Sequence, residues 1–431
     1  MSTSETSDLS AQVKHILTTL SYLVEEQFKS TEVQKLISDQ EKSFDMLFLE
    51  HFPRLASIYA HLYKVPVIQF NSFGLMRGTA EMMGASSHCI LYPIPIHYNF
   101  FNLTIWETIT NISRNTVLYF NYYYNLCYSD NEISKRLFGQ DFPDIEEVRG
   151  NASLLFLNIH NLWDFNRPQP KSVINLSGIH YYTRRELPKD LQIYLDHSKN
   201  GVIYMSLGTN SRPSSLPINT IRIITRVFAQ LPYNVLLKWD GELVGNPKNV
   251  KVLKWFPQSD LLGHPNIKVF ITQGGLQSSV EAINSGVPLV ALPLLIDQWY
   301  NTEIYKHYKI GIQLHKDTLT DDKFKNSIET VISDVSYRAN IIKLRSLMQD
   351  QPQTALQRAV WWTEHVLQHG AKHLRAPAAN MHWAVYYELE LVFTVISIFI
   401  VSIIIVKKAL SYVMFKVVII FKRILLKQKF D

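Results

Sequence analysis

The sequence predicts an α/β protein of two doubly wound domains that face each other across a cleft. Three observations support this prediction. The chain has 431 residues, which is more than one hydrophobic core usually holds. Its second half alternates short apolar runs with amphipathic helical segments, as βαβ units do. Its first half contains further short apolar runs that read as buried strands of a second sheet.

The composition is that of a folded protein, with 47% hydrophobic and 19% charged residues. The net charge of +6 is concentrated after residue 406. The basic residues there are Lys407, Lys408, Lys416, Lys422, Arg423, Lys427 and Lys429. The body is therefore close to neutral and gives no indication of nucleic-acid binding. Only Cys89 and Cys127 are present, so neither a disulfide framework nor a thiolate metal site is expected.

The first half is expected to contribute a helical segment and three strands. In chain order these are a helical segment at 8–42 and strands at 44–50, 65–70 and 153–160. Residues 91–128 are rich in tyrosine and phenylalanine and are expected to be irregular. A linker containing Pro168 and Pro170 is expected to run to about residue 199.

The second half is expected to form a parallel sheet with helical crossovers. The expected strands are 201–209, 234–241, one that begins at 250 and leads into a loop up to 265, 267–272 and 287–298, and the expected helices are 218–232 and 277–286. Ligands of such sheets bind beyond the carboxyl ends of the strands, so the residues that follow each strand are the candidates for a site.

Small and polar residues follow the strand at 267–272. Gly274 and Gly275 would let the backbone turn and approach a ligand closely. A helix is expected to begin near Gln277 and Ser278, and its free N–H groups, with Gln273 beside them, would suit a diphosphate. For two glycines alone, a turn without any ligand is the better interpretation.

Two further groups of polar or aromatic residues indicate that this turn binds a ligand. Asp297 and Gln298 end the next expected strand, and neighbouring parallel strands end at the same edge of a sheet. Glu281, on the expected helix, could accept hydrogen bonds from a ribose diol. Trp255 offers a flat face for a base and Gln258 an amide beside it, although a tryptophan is equally often part of a core.

A resemblance to a known family enters through these residues. The motifs W-F-P-Q-x-D-L-L-x-H-P, from residue 255, and F-I-T-Q-G-G-L-Q-S-x-x-E-A-I-x-x-G-V-P-L-V-x-x-P-x-x-x-D-Q, from residue 270, closely resemble the signature of UDP-glycosyltransferases of the animal glucuronosyl and glucosyl type. Gln273 and residues 276–278 look most like the insect and baculovirus branch. The resemblance covers most of the chain, including residues 350–375, which are similar to the family's returning helix.

The resemblance implies the GT-B fold, in which two Rossmann-like domains flank a cleft, followed here by a C-terminal transmembrane helix. We expect an acceptor-binding domain at 1–187, incomplete at its N-terminus, and a UDP-sugar-binding domain at 188–365. After these domains we expect a returning helix and juxtamembrane segment at 366–388, a transmembrane helix at 389–406 and a basic cytosolic tail at 407–431.

The activity implied by the resemblance is inverting transfer of a sugar from a UDP-sugar to a hydroxyl of a small lipophilic acceptor. The co-substrate would be UDP-glucose, with UDP-glucuronate as the alternative. No cofactor is implied, and no metal, because backbone amides and a helix dipole would neutralise the diphosphate. The implied partners are the acceptor, the UDP-sugar, the membrane and related chains in a homo- or hetero-oligomer.

Residue roles carry over from the family by position. Trp255 would stack on uracil, Gln258 would bind uridine and Glu281 would hold the ribose hydroxyls. The diphosphate would be held by Ser206, Thr209 and the helix start at Gln277 and Ser278, and the sugar by Asp297 and Gln298. The same UDP-sugar site would include Gly208, Gln273, Gly274 and Gly275. Two positions depart from the wider family, since Gln273 stands in place of a histidine and Lys238 in place of an arginine.

The largest departure concerns the acceptor's proton. In the family, a histidine near the end of the first strand takes it, oriented by a carboxylate, and Glu50 occupies the position of that carboxylate. The strand that carries the histidine would lie upstream of residue 1, and neither His15 nor His51 matches it. Two hypotheses follow, a transferase or a UDP-sugar-binding pseudoenzyme that modulates intact relatives.

The C-terminal region indicates a membrane protein. Residues 391–406 contain no charge, and the basic flank that follows favours a span over a buried core helix and a cytosolic C-terminus. Sequons at Asn102, Asn111, Asn151 and Asn175 suit a lumenal body, and the terminal KQKFD resembles a dilysine signal of the endoplasmic reticulum membrane. Residues 1–20 do not have the pattern of a signal peptide.

Overall fold

The computed structural model describes residues 3–39, 41–120, 126–181, 184–209, 212–245 and 247–427, with side chains described from residue 11 to 423 within these ranges. The chain forms two compact units, residues 1–379 and residues 380–431. The first unit contains two parallel sheets, and the second contains two helices.

The N-terminal half of the first unit holds a four-stranded sheet. Its elements are α1 (Thr3–Lys29), α2 (Thr31–Ser38), β1 (Leu47–Glu50), α3 (Ile58–Tyr63), β2 (Val67–Asn71), α4 (Arg77–Met83), α5 (Ile105–Phe120), α6 (Cys127–Phe138), α7 (Ile145–Arg149), β3 (Leu154–Leu157) and β4 (Val173–Asn175). The strand order is β1-β2-β3-β4, and every pair is parallel. All four residues of β3 are buried, as expected of a strand covered on both faces. The three strands predicted from the sequence are therefore confirmed.

The C-terminal half of the first unit holds a six-stranded sheet. Its elements are α8 (Lys189–His197), β5 (Val202–Ser206), α9 (Ile218–Gln230), β6 (Asn234–Lys238), β7 (Val250–Leu253), α10 (Gln258–Leu262), β8 (Ile267–Thr272), α11 (Leu276–Ser285), β9 (Leu289–Ala291), α12 (Asp297–His307), β10 (Gly311–Gln313), α13 (Asp321–Ser333), α14 (Val335–Gln349) and α15 (Ala355–His369). The order β10-β9-β8-β5-β6-β7 reverses direction between β5 and β8. That reversal is the topological switch point at which doubly wound sheets bind ligands.

Three segments differ from the sequence prediction. Residues 105–120 form helix α5 and not the expected irregular stretch. The sequence did not predict this helix because its buried positions include asparagines, so no apolar core face is visible in the pattern. The expected linker contains β4 and α8. Strand β9 ends at Ala291, and Pro293 follows it without an N–H for the ladder, so Asp297 begins a helix and does not end a strand.

The last helix of the first unit returns to the N-terminal sheet. Ala359 and Val366 of α15 are buried in one apolar cluster with Ile68, Leu154 and Phe156 of that sheet. In addition, Arg358 Nη1 donates to the carbonyl of Asn175 at 2.8 Å. A domain boundary expected at residue 365 thus falls inside this helix.

Hydrogen bonds and a shared core join the two halves of the first unit. Trp163 Nε1 donates to Asn301 Oδ1 at 2.8 Å, and the Tyr300 hydroxyl donates to the Trp163 carbonyl at 3.0 Å. One apolar cluster contains residues of both sheets, among them Leu157 of β3 and Tyr204 of β5. The positions of the two sheets relative to each other are therefore fixed by packed and bonded side chains.

The second unit consists of α16 (Trp383–Tyr386) and α17 (Leu389–Lys427). Residues Leu389–Arg423 have a mean hydropathy of 2.8 over their most apolar window, none of which is buried, so this helix is long and apolar enough to cross a membrane. The helix continues past residue 406, where we expected the span to end. At about 1.5 Å per residue it is longer than a hydrocarbon core of about 30 Å, so a membrane span would need only part of it.

Candidate functional site

The end of β5 meets the end of β8 at the switch point. Gly208 follows β5 with φ +80°, and a side chain there would collide with the Gln273 amide that follows β8. Lys238, at the end of β6, donates from Nζ to the Gly208 carbonyl at 3.0 Å. Ser206 is buried and Thr209 is exposed beside this turn. The structure thus places Ser206, Gly208, Thr209 and Gln273 at the same edge of the sheet.

The turn from β8 into α11 is built around two glycines with different requirements. Gly274 has φ +89°, and a Cβ there would lie 2.6 Å from Cγ2 of Thr302. Gly275 is the N-cap residue of α11, has φ −63°, and a Cβ there would meet only Gln273 Nε2 at 3.8 Å. Gly275 has no side chain to cap this helix, and although the Leu276 N–H bonds the Asp297 carboxylate, the N–H groups of Gln277 and Ser278 are available to an anion.

Gln277 and Ser278 occupy the first turn of α11, but their side chains have different surroundings. The Gln277 amide donates to the Ser72 carbonyl of the N-terminal half at 3.1 Å. Its carbonyl accepts from His180 Nε2 at 3.3 Å. Ser278 Oγ accepts from Gln258 Nε2 at 3.0 Å. Gln277 therefore connects the two halves of the unit, and its backbone rather than its side chain is offered to a diphosphate.

The orientation of His180 follows from its neighbours. Asn158 Oδ1 accepts from the N–H groups of Gly178 at 2.9 Å and Ile179 at 3.0 Å, so the Asn158 amide nitrogen faces His180 Nδ1 at 3.1 Å. Nδ1 must then accept, and Nε2 carries the hydrogen that is donated to Gln277. Burial lowers the pKa of His180, which agrees with this neutral tautomer. The imidazole fixes the first turn of α11 to the end of β3.

Gln258 and Glu281 are directly bonded. Gln258 Nε2 donates to Glu281 Oε2 at 2.6 Å, and the other Glu281 oxygen accepts from Ser259 Oγ at 3.1 Å. The Tyr204 hydroxyl donates to Gln258 Oε1 at 3.1 Å. A carboxylate held in this way keeps lone pairs for ligand hydroxyls, as a ribose diol requires.

Trp255 is exposed beside this cluster. Its side chain is 66% accessible, so it is not part of the core, and Lys238 Nζ lies 4.5 Å from the centroid of its ring. An exposed indole next to a polar cluster is a stacking platform for a flat ligand. The Lys238 ammonium over the ring would also attract a phosphate.

Asp297 and Gln298 begin α12. The Asp297 carboxylate accepts a hydrogen bond from Asn301 Nδ2 at 3.0 Å. Desolvation raises the pKa of Asp297 to about 7. The bond from Asn301 and the bonds from the backbone of Asp297 and Leu276 oppose this rise. Gln298 Oε1 accepts from the N–H groups of Leu294 and Leu295, both at 2.8 Å, so its amide nitrogen is the group that can serve a ligand. The hydrogen bond from the Leu276 backbone places Asp297 at the start of α11, beside the turn that follows β8.

Glu50 lies at the end of β1 and is exposed. Desolvation raises its pKa, against hydrogen bonds from the N–H groups of Phe52 and His51. His51 is buried, with Nδ1 2.7 Å from Gln69 Oε1 and Nε2 2.6 Å from Thr79 Oγ1, and burial lowers its pKa to about 3. His15 is exposed on α1. Within the described ranges, no imidazole is hydrogen-bonded to Glu50.

Four residues of the site were not identified from the sequence, namely Tyr204, Ser259, Asn301 and His180. Asn301 follows Asp297 by four residues on one helix, a spacing that would have indicated the contact if Asp297 had been assigned to a helix start. His180 lies in the expected linker, where no periodic pattern marked it. In the part of the chain that the structure describes, no group of three His, Cys, Asp or Glu side chains could hold a metal ion.

Comparison with known protein families and sequences identifies the relatives of this chain. The profile of the family described as "UDP-glucoronosyl and UDP-glucosyl transferase" matches residues 2–424. An ecdysteroid UDP-glucosyltransferase of Lymantria dispar multicapsid nuclear polyhedrosis virus is 35% identical over 88% of this chain and 76% of its own length. Human UDP-glucuronosyltransferase 2B10 is 31% identical over 82% of this chain and 67% of its own length.

Solved structures share the fold at low identity. The glycosyltransferase VinC in complex with dTDP superposes with a TM-score of 0.57 at 15% identity, covering 83% of this chain and 81% of its own. A UDP-glucose: anthocyanidin 3-O-glucosyltransferase in complex with UDP gives a TM-score of 0.52 at 16% identity, covering 78% of each chain. The architecture is that of the GT-B glycosyltransferases.

Proposed function

Because this chain belongs to the family of UDP-glucuronosyl and UDP-glucosyl transferases, we propose that it transfers glucose from UDP-glucose to a hydroxyl of a small lipophilic acceptor. The observation that carries the proposal is the cluster at the switch point of the second sheet, where Gln258 and Glu281 are bonded beside the exposed ring of Trp255. UDP-glucose is favoured as donor because relatives from baculoviruses and from the insect Dactylopius coccus are named as glucosyltransferases.

The donor would lie along the switch point in a defined order. Uracil would stack on Trp255, and Gln258 would bind the uridine. The ribose hydroxyls would donate to the Glu281 carboxylate and would replace one of the hydrogen bonds that it accepts from Gln258 and Ser259. The diphosphate would then reach the free N–H groups of α11 and the turn after β5, and the sugar would meet Asp297 and Gln298.

Transfer with inversion is a single displacement at the anomeric carbon. The acceptor oxygen forms the new bond as the bond to the β-phosphate oxygen breaks, and UDP leaves with the bonding electrons. The helix dipole and N–H groups of α11, together with Lys238, would stabilise the charge that develops on the diphosphate. The acceptor hydroxyl must lose a proton to a base, and Glu50 occupies the position of the carboxylate that would orient this base.

A small apolar cavity of about 20 Å³, too small to hold an acceptor as it stands, marks an apolar surface against which a lipophilic acceptor would lie. It is lined by Val13, Ile16, Leu17, His51, Phe52, Met76, Ile96 and Ile296. Ile296 directly precedes Asp297, the residue proposed to bind the sugar, so an acceptor near this cavity would be close to the transferred group. We therefore expect an apolar body with one reactive hydroxyl, such as a phenol or a steroid.

The same proposal includes a membrane location. Helix α17 would anchor the chain in the endoplasmic reticulum membrane, with the basic residues after 406 in the cytosol and the body in the lumen. Of the four sequons, Asn111 and Asn175 are buried, while Asn102 and Asn151 are exposed. Glycans on a folded lumenal body are thus compatible only with the latter two.

The test is transfer of labelled glucose from UDP-glucose to a phenol by the purified full-length chain. We expect a labelled glucoside with the wild type and its loss in Asp297→Ala. Activity that survives this substitution would contradict the assignment of the donor site.

A second candidate function is a UDP-sugar-binding chain whose own transfer is slow and which modulates catalytically intact relatives. The observation that favours it is the bonding of His51, both of whose ring nitrogens are occupied, while His15 is exposed on a helix. UDP binding measured beside turnover separates the two candidates. Binding without turnover supports the second, whereas binding with turnover supports transfer.

A further inference from the structure

Helix α5 turns polar residues towards the protein. Asn111 and Asn115 are 6% and 1% exposed. The Asn111 amide donates to the Asn99 carbonyl at 3.1 Å, and Asn115 Oδ1 accepts from Arg77 Nη1 at 3.4 Å. Amphipathic helices of globular proteins normally place apolar residues at such positions. The buried side of α5 is therefore polar and hydrogen-bonded.

The outer side of α5 is apolar. Its exposed large side chains are Ile105 and Trp106, both 78% accessible, Ile109 at 50%, Ile112 at 45%, Val117 at 55% and Phe120 at 51%. Spacings of three, four and five residues place them on one side of the helix. The two charged residues of the helix, Glu107 and Arg114, are half-buried: Glu107 accepts from Asn99 at 2.9 Å, and Arg114 lies 4.9 Å from the Tyr98 ring centroid. The outer face thus carries no charge.

The three threonine hydroxyls of this helix are satisfied internally, whereas its one serine, Ser113, is exposed. Thr108, Thr110 and Thr116 each donate to the carbonyl four residues earlier, at 3.0, 2.8 and 2.8 Å. A threonine bonded in this way brings no unsatisfied donor into an apolar medium. A protein partner, by contrast, is usually recognised through hydrogen bonds across the interface and a polar rim. The chemistry of the outer face suits lipid better than protein.

The same chain supplies the lipid surface. Helix α17 has the length and hydropathy of a membrane span, so a body attached to it stays at high effective concentration beside a bilayer. Contiguous exposed apolar faces mark sites of membrane or protein contact, and tryptophan is enriched where a chain meets the bilayer interface. We propose that the outer face of α5 rests in the interfacial layer of the membrane as a second, non-spanning contact of the body.

The test uses the full-length chain reconstituted in phosphatidylcholine vesicles that contain a phospholipid with a diazirine in its acyl chain. Vesicle-bound chains are collected by flotation and irradiated, and lipid adducts are mapped by mass spectrometry. We expect adducts on residues 105–120 as well as on α17. The variant Trp106→Gln/Ile109→Gln/Val117→Gln should lose most of the adducts on α5, at least fivefold, and retain those on α17.

A matched control replaces exposed apolar residues elsewhere, Ile193→Gln and Val335→Gln, and should leave the adducts on α5 unchanged. Circular dichroism melts check that each variant folds. An absence of adducts on residues 105–120 in floated wild-type chains would overturn the proposal. Cross-links that join residues 105–120 of two copies, in place of lipid adducts, would also overturn it, because the occupant would then be a second copy of the chain.

Discussion

Trp255 shows how far a single residue can be interpreted before the structure is known. Its residue type and motif suggested a stacking platform, but the sequence could not exclude a core position. The structure decides this point, because the side chain is 66% exposed and lies next to Lys238. Gln277 shows the opposite case, since its motif suggested a phosphate contact and its amide instead bonds Ser72, more than two hundred positions earlier in the chain. Such a long-range contact has no local pattern.

Replacement of Trp255 by alanine should weaken UDP binding without affecting the fold. Stacking of a base on an aromatic side chain contributes about 1–3 kcal/mol, which corresponds to a loss of roughly tenfold or more in affinity. Isothermal titration with UDP measures this change. The matched control is Trp361→Ala, which removes a tryptophan of similar exposure, 48%, from α15. Equal affinities of the two variants would argue against stacking on Trp255.

Asp297 should make stability depend on pH. Its folded pKa is about 7, above an unfolded value of about 4, so the folded state retains a proton that the unfolded state releases in this window. Stability should therefore fall as pH rises from 4 to 7 and stay low above it. Asp297→Asn should flatten this dependence, which chemical denaturation at several pH values measures. The exposed carboxyl of Asp322 provides the control Asp322→Asn, and an unchanged slope in Asp297→Asn would contradict the assignment.

At the scale of elements, strands with continuous apolar runs could be predicted from the sequence. Two helices, α5 and α12, could not be predicted, because their sequences do not show a typical amphipathic pattern or helix start. β3, β5 and β8 lie where the sequence placed them, because fully buried strands need nothing but apolar residues. Helix α5 was missed because it buries asparagine and exposes isoleucine. Helix α12 was missed because Asp297 follows an apolar run that continues past the end of β9.

The two glycines before α11 should respond differently to alanine. Gly274→Ala forces a side chain into a left-handed backbone, with its Cβ 2.6 Å from Thr302, and should destabilise the protein by about 1–3 kcal/mol. Gly275→Ala meets no such contact and should fold normally, but its methyl group would occupy space at the start of α11 that a diphosphate needs. Thermal melts and UDP titration of both variants test this. Normal UDP affinity in Gly275→Ala would contradict the placement of the diphosphate.

Helix α15 should be necessary for the stability of the N-terminal sheet. Val366 is 1% exposed in the cluster that contains Ile68 and Leu154, so Val366→Asp would bury an unpaired carboxylate and cost about 3 kcal/mol or more. Leu367 is its neighbour and is 48% exposed, so Leu367→Asp should change the melting temperature little. Equal effects of the two substitutions would show that α15 does not pack as described.

At the scale of the whole molecule, the site depends on both halves of the first unit. His180 and Gln277 connect the end of β3 to the helix that is proposed to bind diphosphate, and Trp163 is bonded to Asn301, the partner of Asp297. The motif in the second half predicted the donor residues, since they lie close together in sequence. The contacts between the halves could not be predicted, because they join residues far apart in sequence through single hydrogen bonds.

The binding of UDP tests the central claim most directly. Isothermal titration of UDP into the full-length chain should give saturable binding with one site per chain. Glu281→Ala should weaken that binding by roughly tenfold or more, because hydrogen bonds between a ligand hydroxyl and a charged group contribute about 1.5–3 kcal/mol each. The exposed Glu242 supplies the control Glu242→Ala, which should bind as the wild type does. Absence of binding by the wild type, or equal affinities in all three proteins, would contradict a UDP-sugar site at the ends of β5 and β8.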